Sequence, residues 1–200
     1  ACCGMAKLEL GDLDAVVRAK EINIPVLAAW VDKGYDIVTP IPSCTLMYKQ
    51  ELPLMFPDDE AVRKVQAAMY DPFEYLMLRH KDGKLKTDFA QPLGKVSYQV
   101  PCHLRVQNIG LKTRDVLQLV PDTTVEAIER CSGHDGTYAV KKEFHDISKK
   151  IARPVVNKVK KSGADHFVSD CPMASDQIAQ DLDEYSAGHP MSLLRKAYGI

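Results

Sequence analysis

The chain has 200 residues, 46% of them hydrophobic, which is enough to bury one large core or two small ones and excludes disorder of the whole chain. Its 26 Lys and Arg balance 27 Asp and Glu, so no global field draws it to nucleic acid or to an anionic membrane. No apolar run reaches the roughly 18 to 20 residues of a membrane span and no basic n-region with an apolar h-region opens the chain, so a cytoplasmic location is expected.

In chain order, Cys2-Cys3-Gly4 precedes a helix predicted over Asp14 to Lys33, with Asp12 or Asp14 near its start and Gly34 as its stop. A short strand follows over Tyr35 to Pro40, and after Cys44 comes a helix with Met47, Leu52 and Leu54 on its apolar face. Trp30, on the apolar side of the first helix, is expected in a core or an interface. The stretch 58–93 reads as a helical connector, with a helix over Asp59 to Tyr70, a second run from Asp71 to His80 and a polar loop from Lys81 to Lys86. Lys95 to Val100 is the next strand, ending just before Cys102. Beyond Cys131, a helix over Tyr138 to Lys161 stops at Gly163, a strand covers Asp165 to Ser169, and Cys171 opens a helix carrying Ile178 and Leu182. Pro25 and Pro154 fall inside the two long helices, where each is expected to kink or break the chain.

Strands alternating with long helices indicate an α/β fold with short, mostly parallel sheets flanked by helices. An internal repeat organises it. Cys2 pairs with Cys131, Gly4 with Gly133, Pro25 with Pro154, Gly34 with Gly163 and Asp36 with Asp165, all 129 positions apart, and Cys44 pairs with Cys171 at 127. The pattern divides the chain into a first unit over 1–57, the connector 58–93 and a second unit over 94–200. The same period places a partner for Cys102 about 27 residues before Ala1, so the first unit is expected to be truncated at its N-terminus.

Six cysteines (Cys2, Cys3, Cys44, Cys102, Cys131, Cys171) are spread along the chain, unlike the dense sets of short secreted disulfide scaffolds, and are expected to be reduced. Cys44, Cys102 and Cys171 each sit beyond a strand end at a helix start, where ligands bind open α/β sheets and where the helix dipole favours a thiolate. Any one cysteine alone reads as a small buried hydrophobe. Burial, however, does not require Cys at matching positions of two copies. The absence of a Cys-x-x-Cys pair excludes a local zinc ribbon, so the site must be assembled by the fold. Three thiolates from successive loops could hold a cluster iron or a zinc ion, with His103, His134 or Asp170 as a further ligand in the second unit. No Gly-x-Gly-x-x-Gly or Walker-type loop supports a nucleotide fold.

These residues resemble the cysteine-rich CCG domain family, found in one of the subunits of heterodisulfide reductase and in one of those of anaerobic glycerol-3-phosphate dehydrogenase. The resemblance rests on Cys2-Cys-Gly-Met5, Pro42-Ser-Cys-Thr45, Val100-Pro-Cys-His103, Cys131-Ser-Gly-His-Asp-Gly-Thr-Tyr138, Ser169-Asp-Cys-Pro172 and His189-Pro-Met-Ser-Leu-Leu194. It implies an iron–sulfur electron-transfer subunit of an oxidoreductase, with a 4Fe-4S type cluster. Its partner would be a flavoprotein dehydrogenase subunit or a ferredoxin-like module, and any attachment to the inner membrane would be peripheral and through that partner. Carried over by position, Cys2, Cys3 and Cys44 belong to a first site and Cys102, Cys131 and Cys171 to a second, with His103 and His134 as candidate further ligands. The chain departs from the family pattern at Ser132, Ala174 and Met47, where further cysteines are expected, so neither half holds five thiolates. A non-catalytic scaffold around a structural zinc is the alternative. A thiol–disulfide enzyme using Cys2 and Cys3 is weakened because adjacent cysteines form strained bridges.

Overall fold

The computed structural model describes residues 1–134 and 138–200. From the N-terminus it runs α1 (Met5–Glu9), α2 (Leu13–Val31), β1 (Ile37–Val38) and α3 (Pro42–Leu46). The last continues through a π-helical turn, Met47–Glu51, into α4 (Leu52–Met55). Then come α5 (Glu60–Ala68), β2 (Met69–Tyr70), α6 (Pro72–Lys81), β3 (Gly94–Gln99), α7 (Cys102–Arg105), α8 (Lys112–Leu117) and β4 (Thr123–Ile128). A 3-10 turn, Lys142–Phe144, leads into α9 (His145–Ser162), followed by β5 (His166–Ser169), α10 (Pro172–Ala179) and α11 (Pro190–Ala197).

Among the described residues, all strand pairings are parallel. One sheet pairs β1 with β2 (Ile37 opposite Met69), and the other has the order β4-β3-β5, with Gly94 opposite Thr123 and Val96 opposite His166. The α/β reading with short parallel sheets is therefore what the chain adopts. Central β3 is covered on both faces, so it reads as a nearly continuous buried run through Val96, Tyr98 and Val100. One apolar layer joins those residues to Phe73, Leu104, Val116, Leu117 and Leu194, and a second joins Ile128, Val155, Val159, Phe167 and Ile178 on the α9 side. The N-terminal region has its own core of Val16, Ile24, Met47, Leu52, Val62 and Val65.

The stretch 58–93 serves both regions. Its β2 pairs with β1, while Phe73, Leu76 and Met77 of α6 pack into the core under β3. Asp71 caps α6 with its carboxylate on the N–H groups of Phe73 and Glu74, and Glu74 returns a bond to the Asp71 N–H.

Several expectations need correction. β2 and β4 have weak local signatures: β2 is two residues long, and β4 is an edge strand carrying exposed Glu126. The second long helix begins at His145, because Tyr138 to Val140 form a turn and extended Lys141 leads into the 3-10 turn; Asp135-Gly-Thr137 of that motif lie outside the described residues. Both long helices run through Pro25 and Pro154 without a break. The turns beside each proline are fixed by packing, through Ile24 and Ala28 in α2 and Ala152, Val155 and Val156 in α9. Trp30 is not core: it is 44% exposed, set edge-on to Tyr35 with Lys33 over its ring. Leu54, at 76% exposed, points to solvent because the π-helical turn rotates α4 relative to a straight α-helix. No described helix is long and apolar enough to cross a membrane.

Candidate metal centre

In the C-terminal region each cysteine stands at the carboxyl end of a strand. Cys102 opens α7 directly after β3, Cys131 lies three residues beyond β4, and Cys171 is the N-cap of α10 after β5. Parallel strands present these ends along one edge, and the three cysteines line one cavity of 380 Å³.

Local geometry fixes each of them. Gly133 takes φ 78°, and a Cβ there would lie 2.2 Å from the Ser148 carbonyl oxygen, so only glycine lets the loop after β4 press against α9. The Ser148 hydroxyl donates to the Gly133 carbonyl and accepts from the Gln177 amide, each at 2.7 Å. The Gly133 N–H in turn donates to the Cys131 sulfur at 3.3 Å. Behind the cavity, buried Gln99 ties the strand ends together, donating to the Arg130 carbonyl and accepting from the Ser169 hydroxyl.

Burial pushes the thiols of Cys102 and Cys171 up, and neighbouring cysteines add to this, Cys131 acting on Cys102 and Cys102 on Cys171. The expected gain from a helix start is outweighed by loss of water.

The N-terminal cysteines are arranged differently. Cys2 and Cys3 precede α1, with Gly4 at φ 95°, and the buried Asn23 amide on α2 donates to the Cys2 carbonyl at 2.9 Å. Cys44 lies within α3, on a turn held by the Thr39 and Thr45 hydroxyls 2.6 Å apart. A hydrogen bond between Cys3 and Cys44 raises the Cys3 thiol far above its ordinary value and lowers Cys44 to about 7. Tyr48 lies beside all three: burial raises its hydroxyl first, and the charges of Cys3, Cys44 and Cys2 raise it further. Cys44 and Tyr48 are one helical turn apart, which is the sequence signal that could have placed Tyr48 at this site.

The other candidate ligands have different positions. His103 lines the cavity, and its Nε2 lies 3.3 Å from the Glu9 carboxylate on α1, an ion pair across the two regions when the imidazole is protonated. His134 lines the same cavity. Asp170 does not face the thiols: it is buried, accepts from the Tyr98 and Thr113 hydroxyls, and burial pushes its carboxyl up to about 6. Arg105, Arg130 and Gln99 also line the cavity, and no spacing in the sequence singled them out.

The donor chemistry suits a soft metal centre, since each region gathers three thiols. Among the described residues, no group of three or more His, Cys, Asp or Glu side chains is assembled around the position of a single ion. The two cysteine sets are neighbours. Met5, Glu9, Pro42 and Ser43, which flank the first cysteine set, form part of the wall around the second, and the Gln107 amide bridges them by donating to the Pro42 carbonyl at 3.1 Å.

Residues 96–178 match the model of the CCG family, the cysteine-rich domain. Over 200 aligned residues it is 28% identical to one of the subunits of anaerobic glycerol-3-phosphate dehydrogenase of Escherichia coli K12, and to the same protein of strain O157:H7, covering 98% of this chain and 49% of each relative. It is also 24% identical over 197 residues to an uncharacterized iron-sulfur protein of Methanococcus maripaludis, covering 94% of this chain and 35% of that protein. The chain thus spans about half or less of the length of these relatives.

Proposed function

We propose that this chain is an iron–sulfur electron-transfer unit of an oxidoreductase, with Cys2, Cys3 and Cys44 serving one centre and Cys102, Cys131 and Cys171 another. The observation that carries this reading is the single cavity lined by three cysteines from three separate strand ends, with about 28 and 39 residues between successive cysteines in sequence. Apolar packing gives no reason to gather thiols there. The match to the cysteine-rich domain and the likeness to an iron-sulfur protein and a dehydrogenase component point the same way.

A bound cluster would supply one-electron storage and transfer, and the protein's own residues supply the rest. Gly133, Ser148 and Gln177 hold the Cys131 loop, Gln99 holds the strand ends, and the first helical turns of α7 and α10 carry Cys102 and Cys171. Three thiolates per centre suit a 4Fe-4S type cluster better than a single zinc ion, because a cluster accepts wider sulfur spacing than one ion, whose thiolates must lie within roughly 4 Å of each other. The partner would be a dehydrogenase subunit or a ferredoxin-like module, met in the cytoplasm.

Anaerobic reconstitution followed by iron and acid-labile sulfide analysis tests this. Bound iron with matching sulfide and a brown chromophore is the expected result; colourless protein with stoichiometric zinc and no sulfide would replace it with the scaffold reading.

A further inference from the structure

The cavity beside Cys102, Cys131 and Cys171 carries groups for which electron transfer gives no task. Its 380 Å³ lies within the ~300–1,000 Å³ range of small-molecule pockets. Arg105, on α7, and Arg130, in the loop after β4, both line it, and among the described residues neither guanidinium takes part in an ion pair. Glu9 is the one acidic side chain among the described lining residues, and His103 engages it. Met5, Pro42 and Met173 give part of the wall an apolar character.

Ser132 and Ala174 also line the cavity. Both are neutral and small. With thiolates there, two further negative charges would face any anionic guest; without them, the two arginines are balanced by fewer thiolates, and Ala174 leaves room.

We propose that this cavity binds a small organic anion, a carboxylate or phosphate ester with an apolar body, its charged group held by Arg105 and Arg130 and its body against Met5 and Met173. Guanidinium groups suit this task because their planar forks match both oxyanions. The proposal builds on the reading of the thiols as a redox centre by placing a ligand beside it. The binding groups themselves are not among the thiols, so the two ideas fail separately.

The test uses the reduced, metal-free 200-residue chain under anaerobic conditions. Benzoate, phenyl phosphate and neutral benzamide are titrated by calorimetry, and alkylation of each cysteine by iodoacetamide is followed by mass spectrometry. At ten times Kd, a bound anion should slow alkylation of Cys102, Cys131 and Cys171 about tenfold, the factor set by site occupancy. Replacing both arginines (Arg105→Gln with Arg130→Gln) should raise Kd at least about tenfold, as loss of charge-assisted hydrogen bonds requires. Arg130→Lys, which keeps the charge, should retain protection. Binding of benzoate alone, of phenyl phosphate alone, or of both identifies the favoured oxyanion, and each supports the site. Failure of both anions to bind, equal binding by the double variant, or equal binding of benzamide overturns it. Iron and sulfide analysis of the same preparation separates the two ideas: anion binding without iron uptake overturns only the electron-transfer reading, and iron uptake without anion binding overturns only this inference.

Discussion

The two cysteine sets use the same residue types to different physical ends. In the N-terminal region Cys3 and Cys44 share a hydrogen bond, so one thiol is forced up and Cys44 is drawn down to about 7. In the C-terminal region the thiols surround a cavity, and burial raises Cys102 and Cys171 although both sit at helix starts. The glycine beside each set differs likewise. A Cβ on Gly4 would rest 3.5 Å from the Ala19 Cβ, an ordinary contact, whereas one on Gly133 would overlap the Ser148 carbonyl. Cys44 is thus drawn down by its thiol neighbour although it lies inside a helix, whereas Cys102 and Cys171 are pushed up by burial although they sit at helix starts, and the tightness of the glycine contact decides how firmly each loop is set.

Removing single cysteines gives the largest expected effect on this contrast. Cys131→Ser should abolish iron retention by the C-terminal centre and leave that of the N-terminal centre, and Cys44→Ser should do the reverse. Iron analysis and electron paramagnetic resonance after anaerobic reconstitution would read this out. If both substitutions remove the same iron, the chain holds one shared centre.

Gly133→Ala should cost about 2–5 kcal/mol, combining the left-handed backbone penalty with overpacking against α9. Gly4→Ala should cost only about 1–2 kcal/mol, the backbone penalty alone. Equal shifts in urea midpoint would erase the difference between the loops.

The regions meet at two buried carboxylates, Asp71 and Asp170, and burial pushes Asp71 up to about 7 and Asp170 to about 6. Both folded values lie above the ordinary 3.8, so the stability they contribute is fully present below about pH 4 and is lost as the pH rises through about 7. Asp71→Asn keeps the cap of α6 and should flatten this decline by on the order of 2–4 kcal/mol. Urea denaturation at pH 4.5 and 7.5 measures it; an unchanged slope means that Asp71 is ionised throughout.

In the metal-free chain, iodoacetamide at pH 7 should modify Cys44 on the order of five- to tenfold faster than Cys102, its greater thiolate fraction being partly offset by lower nucleophilicity. The Cys44 rate should level off above pH 7 while that of Cys102 continues to climb. The smallest effect is expected from Glu9→Gln, which breaks the half-exposed pair with His103 and should cost under about 1 kcal/mol. A larger loss would mean that this contact holds the two regions together.

Much of this was legible in the chain itself. Gly34, Gly163 and Asp12 bound the long helices, and the apolar runs before Cys44, Cys102 and Cys171 located three strands, because helix stops, caps and short apolar runs are local signals. The same positions put those cysteines at strand ends. Tertiary structure alone decided that β2 joins β1, that α6 belongs to the core under β3, and that Glu9 and Pro42 wall the cavity of the other region. It alone made Asp170 a buried acceptor for Tyr98 and Thr113, and brought Arg105 and Arg130 to the thiols. Each of these depends on contacts between residues tens of positions apart, where no periodicity or spacing carries a record, while the fate of a charged group is set by how much water its neighbours leave it.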